Sequence, residues 1–185
     1  MHGSVLALAL LAACGADSVD SPYDPITELG GVYTIATRTL NAAGCDGEGA
    51  AIGGPPHLFV TSETFSGKDA LNVAPCDSIS ECQLFADAES PSHFGLQLPR
   101  GNDVEGWTVA TAAFGLIGTE CRAHRVNYRL TSTAAGIRLE ARAVSATFAP
   151  QADNPPCPDE AALAATAAAP CEQFAVTTAT FTTDL

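Results

Sequence analysis

Residues 122–148 constrain the fold more than any other stretch of the chain. Val126, Tyr128 and Leu130 alternate with Arg125, Asn127 and Arg129, and Ile137, Leu139 and Ala141 alternate with Arg138, Glu140 and Arg142. Successive side chains on a strand point to opposite faces, so this period of two gives each segment one apolar and one charged face. Two such segments in tandem predict an antiparallel pair. A two-residue turn at Ala134 and Ala135 sets Arg129 opposite Glu140 as a cross-strand ion pair on the wet face. A longer loop ending at Gly136 is the other way to join them, because Ala-Ala is not the Asn-Gly that tight hairpins prefer.

Segments rich in Thr, Val and aromatic residues recur between Gly, Pro and Asn turn signals along the rest of the chain. The expected strands are 31–40, 58–66, 70–74, 93–98, 107–116, 122–132, 136–148 and 174–182. Two short helices interrupt them. Ser78-Ile79-Ser80-Glu81 has the capping-box pattern, with Ile79, Cys82 and Phe85 following at helical spacing. The second covers 158–168: Pro158 opens it, Asp159 and Glu160 complement its dipole, alanines favour it and Pro170 stops it. The expected fold is therefore all-β, an antiparallel up-and-down barrel of about eight strands with two short helices; a disulfide-stapled β-sandwich fits the same order. The barrel order, with a late helix before one closing strand, resembles the lipocalin-like fold over about residues 29–185. Lipocalins open their first strand with Gly-x-Trp, where this chain has Gly31-Val32-Tyr33.

The chain holds seven cysteines. Cys45, Cys76, Cys82, Cys121, Cys157 and Cys171 contain no C-x-x-C pair of the kind zinc and redox sites use, so they are read as a structural disulfide framework. Fifteen pairings are open to six cysteines. The preferred set joins Cys76 to Cys82 and Cys157 to Cys171, leaving Cys45 with Cys121. The second of these carries a condition. A continuous helix between Cys157 and Cys171 would hold their Cα atoms roughly 21 Å apart, against about 7 Å for a bridge, so the chain between them has to double back.

The seventh cysteine, Cys14, ends the apolar run Gly3–Leu11 through Ala12 and Ala13. That run is far short of the ~20 residues a membrane-spanning helix needs. Leu11-Ala12-Ala13-Cys14 resembles the lipobox of bacterial lipoproteins with a type II signal peptide. The resemblance implies cleavage before Cys14, lipidation of Cys14 with several acyl chains, and a lipid-anchored place in the bacterial cell envelope. Gly15 stands where an Asp marks inner-membrane retention, which favours the outer membrane where the organism has one. An ordinary cleaved secretion signal is the alternative, but an odd cysteine given to lipid leaves an even set for an oxidising compartment. The expected organisation is a signal peptide over 1–13, a lipidated N-terminus and flexible tether over 14–25, and one β domain over 26–185.

The formal net charge is −13, which opposes binding to nucleic acid or bare anionic lipid. Catalytic signatures are missing: His57, His93 and His124 are scattered, with no H-E-x-x-H helix and no G-x-S-x-G elbow. No catalytic residue, metal or cofactor is assigned, and the chain is not read as an enzyme. His124 alternates with Val126 and Tyr128 and reads as a hydrogen-bonded core histidine. Asp46 and Glu48 lack the dense oxygen spacing of a calcium loop and read as a solvated turn. Arg125, Arg129, Arg138 and Arg142 share one face of the strand pair and form a candidate stripe for an anionic partner; a solvated face balanced by carboxylates is the plainer reading. Trp107, Phe59, Phe65, Phe94, Phe114 and Phe148 are expected in the core, or lining a pocket if the strands close. Three functions follow: an envelope-anchored binding module, with a small apolar ligand in the barrel; a structural envelope lipoprotein with a protein partner and no ligand; and an extracytoplasmic hydrolase, which needs His124 or His93 to meet a carboxylate and a hydroxyl in a cleft.

Overall fold

Alternating Val, Thr and aromatic residues form strands at the expected places, although of 93–98 only Leu96–Leu98 is a described strand. A computed structural model describes residues 28–47, 49–65, 68–88, 95–152 and 155–184. The leader, Cys14, the tether, Glu48, His93 and Phe94 lie outside the described residues. In chain order the elements are β1 (Gly31–Asn41), β2 (Ala50–Ala51), β3 (His57–Phe65), β4 (Lys68–Cys76), α1 (Ile79–Ala86), β5 (Leu96–Leu98), β6 (Arg100–Asn102), β7 (Gly106–Ile117), β8 (Glu120–Thr133), β9 (Gly136–Phe148), α2 (Asp159–Ala168) and β10 (Cys171–Thr183).

All the strands belong to one sheet, ordered β5-β4-β3-β1-β10-β9-β8-β7-β6, with β2 added beside β1. Every named pairing is antiparallel, and each strand of the path lies beside its neighbour in the chain apart from the β1–β10 seam. The ends of the path, β5 and β6, are consecutive and separated by Pro99 alone. Proline has no N–H to give to a ladder. The chain therefore pairs with β4 through Leu96–Leu98, breaks at Pro99, and pairs with β7 through Arg100–Asn102. One broken strand is thus shared by both edges, and the result is a nearly closed, up-and-down β-barrel. The sandwich alternative is excluded.

The β8–β9 hairpin turns through Ala134 and Ala135, with Thr133 opposite Gly136 and Arg129 opposite Glu140. Gly136 has φ of +151°, and a Cβ there would strike the Ala179 carbonyl on β10, so only glycine lets β10 pass this closely. The expected Arg129–Glu140 ion pair does not form. Glu140 instead takes Arg138 at 2.8 Å and Arg142 at 3.7 Å on its own strand, while Arg129 donates to the Glu105 carbonyl at 2.8 Å. The short turn between β6 and β7 brings that carbonyl within reach of the guanidinium.

The interior is filled at one end. Leu29, Tyr33, Leu58, Val60, Leu71, Val73, Leu98, Trp107, Leu130, Ile137 and Ala179 form a single buried cluster there. Tyr33 donates to the Leu29 carbonyl at 2.9 Å, and Trp107 Nε1 donates to Asp103 at 2.7 Å. Phe59 is buried too, but on the outer side of β3, where it packs with Val32, Cys76 and Cys82 under α1. Phe114 is partly exposed and Phe148 half-buried, so neither belongs to the interior.

Both helices leave strands at the opposite end and pack on the outside of the barrel, α1 against β3 and β4 and α2 against β8 and β9. Ser78 caps α1, its hydroxyl accepting from the Glu81 N–H at 3.1 Å, and Glu81 reaches back to accept from Asp77 N–H at 2.6 Å. Of the expected disulfides, Cys76–Cys82 is present. The other two are not. Cys157 pairs with Cys121, and Cys171 with Cys45, each with Cα atoms 5.6 Å apart. The reason is the helix between them: α2 runs unbroken over Asp159–Ala168, so Cys157 and Cys171 are carried apart and each meets a different strand end.

Candidate functional site

Above the filled end, the inner face of the barrel carries an open recess of about 530 Å³ bounded by residues from seven strands or their ends. Leu58, Val73, Pro75, Leu96 and Leu139 supply an apolar wall, and Tyr128, Thr177 and Arg38 supply polar atoms. The volume falls within the range of small-molecule sites.

Arg38 enters this recess because β1 carries a bulge. Ile35 faces Ala179 and Thr37 faces Thr178, which leaves Ala36 without a partner and resets the alternation. Thr37 then bonds Thr178 across the outer face at 2.6 Å, and Arg38, paired with Thr177, turns inward. Its guanidinium donates to the Pro55 carbonyl at 3.2 Å, and among the described residues no carboxylate lies within ion-pair distance of it. The loop over it is strapped to β1 on both sides, by Ile52 N–H to the Arg38 carbonyl at 3.0 Å and Ile35 N–H to the Pro56 carbonyl at 2.8 Å. A Cβ on Gly54 of that loop would fall on the guanidinium.

A second open recess, of about 740 Å³, lies further along the inner face of β7, β8 and β9. It contains Arg122, His124, Ser145 and Glu172. His124 was expected in the core; it lies on the inner face but beyond the packed region, and is exposed. Its Nδ1 is 3.2 Å from Ser145 Oγ, and Ser145 donates to Glu172 at 2.7 Å. A histidine, a hydroxyl and a carboxylate thus share a cleft, but in an order unlike that of a nucleophilic relay. There the imidazole accepts the hydroxyl proton and the carboxylate orients the imidazole. Here the carboxylate takes the hydroxyl proton directly, and His124 can only donate to Oγ.

His57 stands elsewhere, its Nδ1 3.3 Å from Thr34 Oγ1. Asp46 lies in an exposed turn, its carbonyl accepting from Asn41 at 2.6 Å. No group of three or more His, Cys, Asp or Glu among the described residues is arranged to hold a metal ion. Arg125, Arg129, Arg138 and Arg142 do share the outer face of β8 and β9, where Arg138 and Arg142 flank Glu140 and Arg142 also covers the Phe174 ring at 4.9 Å. Arg125 differs, since its Nε is buried without a partner. Tyr33, whose pKa burial raises, lies at the filled end, away from both recesses.

Arg38 and Glu172 carried no signal in the sequence: each reaches its recess through a break in strand register, at Ala36 and between Cys171 and Gln173. His124 and Ser145 were legible as partners, because the register that sets Arg129 opposite Glu140 also sets them opposite each other. No protein-family model matches the chain, and no curated protein or solved structure matches it significantly.

Proposed function

We propose that the chain is a lipid-anchored extracytoplasmic lipoprotein of the bacterial envelope whose barrel serves as a binding module for a small apolar ligand. The recess among Leu58, Val73, Leu96 and Leu139 carries this reading, because a barrel built only as a scaffold gains stability by filling such space with side chains. The anchor draws support from parity: all six other cysteines are bridged within the chain, which leaves Cys14 free for lipid. Native mass spectrometry of the delipidated domain taken from its host is expected to show a retained small apolar mass. A barrel that holds none and takes up no apolar probe removes the ligand and favours a structural envelope role with a protein partner. Labelled palmitate is expected to enter the protein in its own bacterium and to be lost in Cys14→Ser.

A second reading, an extracytoplasmic hydrolase, draws on the His124–Ser145–Glu172 chain. It requires the Ser145 hydroxyl to turn from Glu172 to His124. Turnover of a chromogenic ester that disappears in Ser145→Ala supports it; equal rates in both proteins exclude Ser145 as nucleophile.

A further inference from the structure

We propose that the barrel's ligand is an amphipathic monocarboxylate whose carboxylate is held by Arg38 and whose hydrocarbon body lies in the recess; this rests on the binding-module reading above. Three observations carry it. Arg38 is turned inward by the bulge at Ala36, against the alternation that would otherwise send it to solvent. It is half-buried there beside Leu58 and Leu139, where an unpaired charge is less well solvated than on the outer face. The chain holds 21 acidic residues, yet among the described ones none pairs with this guanidinium.

The guanidinium is also prearranged. A guanidinium has five N–H donors, and among the described residues the Pro55 carbonyl is its one acceptor. The strapped loop holds that carbonyl in place, which lowers the ordering cost of binding. The free edge of the fork suits the two oxygens of a carboxylate. A phosphomonoester would bring close to two negative charges to this single cation, leaving one uncompensated beside Leu58 and Leu139. The protein's overall negative charge does not decide the matter, because at physiological salt it is screened beyond about 8 Å while the pairing is made at contact.

Calorimetric titration of the disulfide-bonded chain with decanoate, decanol and decyl phosphate tests the assignment. Decanoate is expected to bind about tenfold or more tightly than decanol. Arg38→Met is expected to abolish that advantage, its circular dichroism spectrum reporting that the barrel remains folded; Arg38→Lys restores part of it. Gly54→Ala, which pushes the guanidinium aside, is expected to weaken decanoate alone. Equal binding of decanoate and decanol, or decanoate binding indifferent to Arg38→Met, overturns the carboxylate while the binding module stands. Tighter binding of decyl phosphate overturns the class of head group. If none of the three binds, both readings fall.

Discussion

Tyr33 shows how one side chain couples the filled end of the barrel to pH. Its ring is buried in the core cluster, its hydroxyl donates to the Leu29 carbonyl, and burial, with the Asp103 and Asp184 carboxylates adding to it, raises its pKa above the ordinary value of 10.0. A group whose folded pKa is raised contributes its stability in full below the unfolded pKa and loses it as pH climbs through the folded one. Wild type should therefore lose stability above about pH 10 through this residue. Tyr33→Phe gives up the hydrogen bond, costing about 1 kcal/mol at neutral pH, but has no phenol to titrate. Urea unfolding at pH 7, 9 and 11 should show the gap between the two proteins closing at the highest pH; parallel curves would show that Tyr33 carries no linkage. Residue-level legibility divides along the same lines. Trp107 was readable as an interior residue because it heads a strand whose register runs unbroken along β8. Arg38 was not, since its direction depends on one unpaired backbone residue that no side-chain pattern announces.

At the level of elements, local chemistry was a reliable guide where it was self-contained. Helix α1 is an example: Ser78 and Glu81 satisfy free N–H groups at its start, and the cap was readable from four residues. Ser78→Ala should cost about 1 kcal/mol of helix stability. Cys82 still ties α1 to β4, so the loss should appear as faster amide exchange in the first turn of α1, with exchange in β8 and β9 unaffected. Slower or unchanged exchange at Glu81 and Cys82 would show that the disulfide alone sets this turn. Strand bounds were legible to within a few residues for the long strands. β2 and β6 were not, because Ala50–Ala51 and Arg100–Asn102 have no alternation and exist only through their partners. The helix over 158–168 was legible as well. Its unbroken course is what defeated the expected Cys157–Cys171 bridge, so one correct element implied the correction of another.

Taken as a whole, the barrel is built from two unlike halves. Packed side chains such as Leu71, Leu98, Leu130 and Ile137 hold the end where the β8–β9 turn and the short β6–β7 turn lie. The other end holds an open recess in place of a core, and all three disulfides are found there: Cys45 and Cys171 at the β1–β10 seam, Cys121 with Cys157 ahead of α2, and Cys76 with Cys82 at the top of β4. Cys76–Cys82 and Cys121–Cys157 are themselves buried in packing on the outside of the barrel, whereas the half-buried Cys45–Cys171 ties the seam where the interior lacks a core. Chain-entropy reasoning ranks them, because a bridge restrains the unfolded chain more as the loop it closes lengthens. With sequence separations of 126, 36 and 6, removing Cys45–Cys171, Cys121–Cys157 or Cys76–Cys82 should cost about 5, 4 and 2 kcal/mol respectively. Paired Cys→Ala variants, unfolded in denaturant, test that order, and amide exchange tests the geometry behind it. Without Cys45–Cys171, protection should fall first where Leu40 pairs with Ala175, while the amides around Leu130 and Ile137 keep theirs. Uniform loss of protection would mean that the two ends unfold as one unit, and that the open end owes its order to the core below it rather than to its sulfurs.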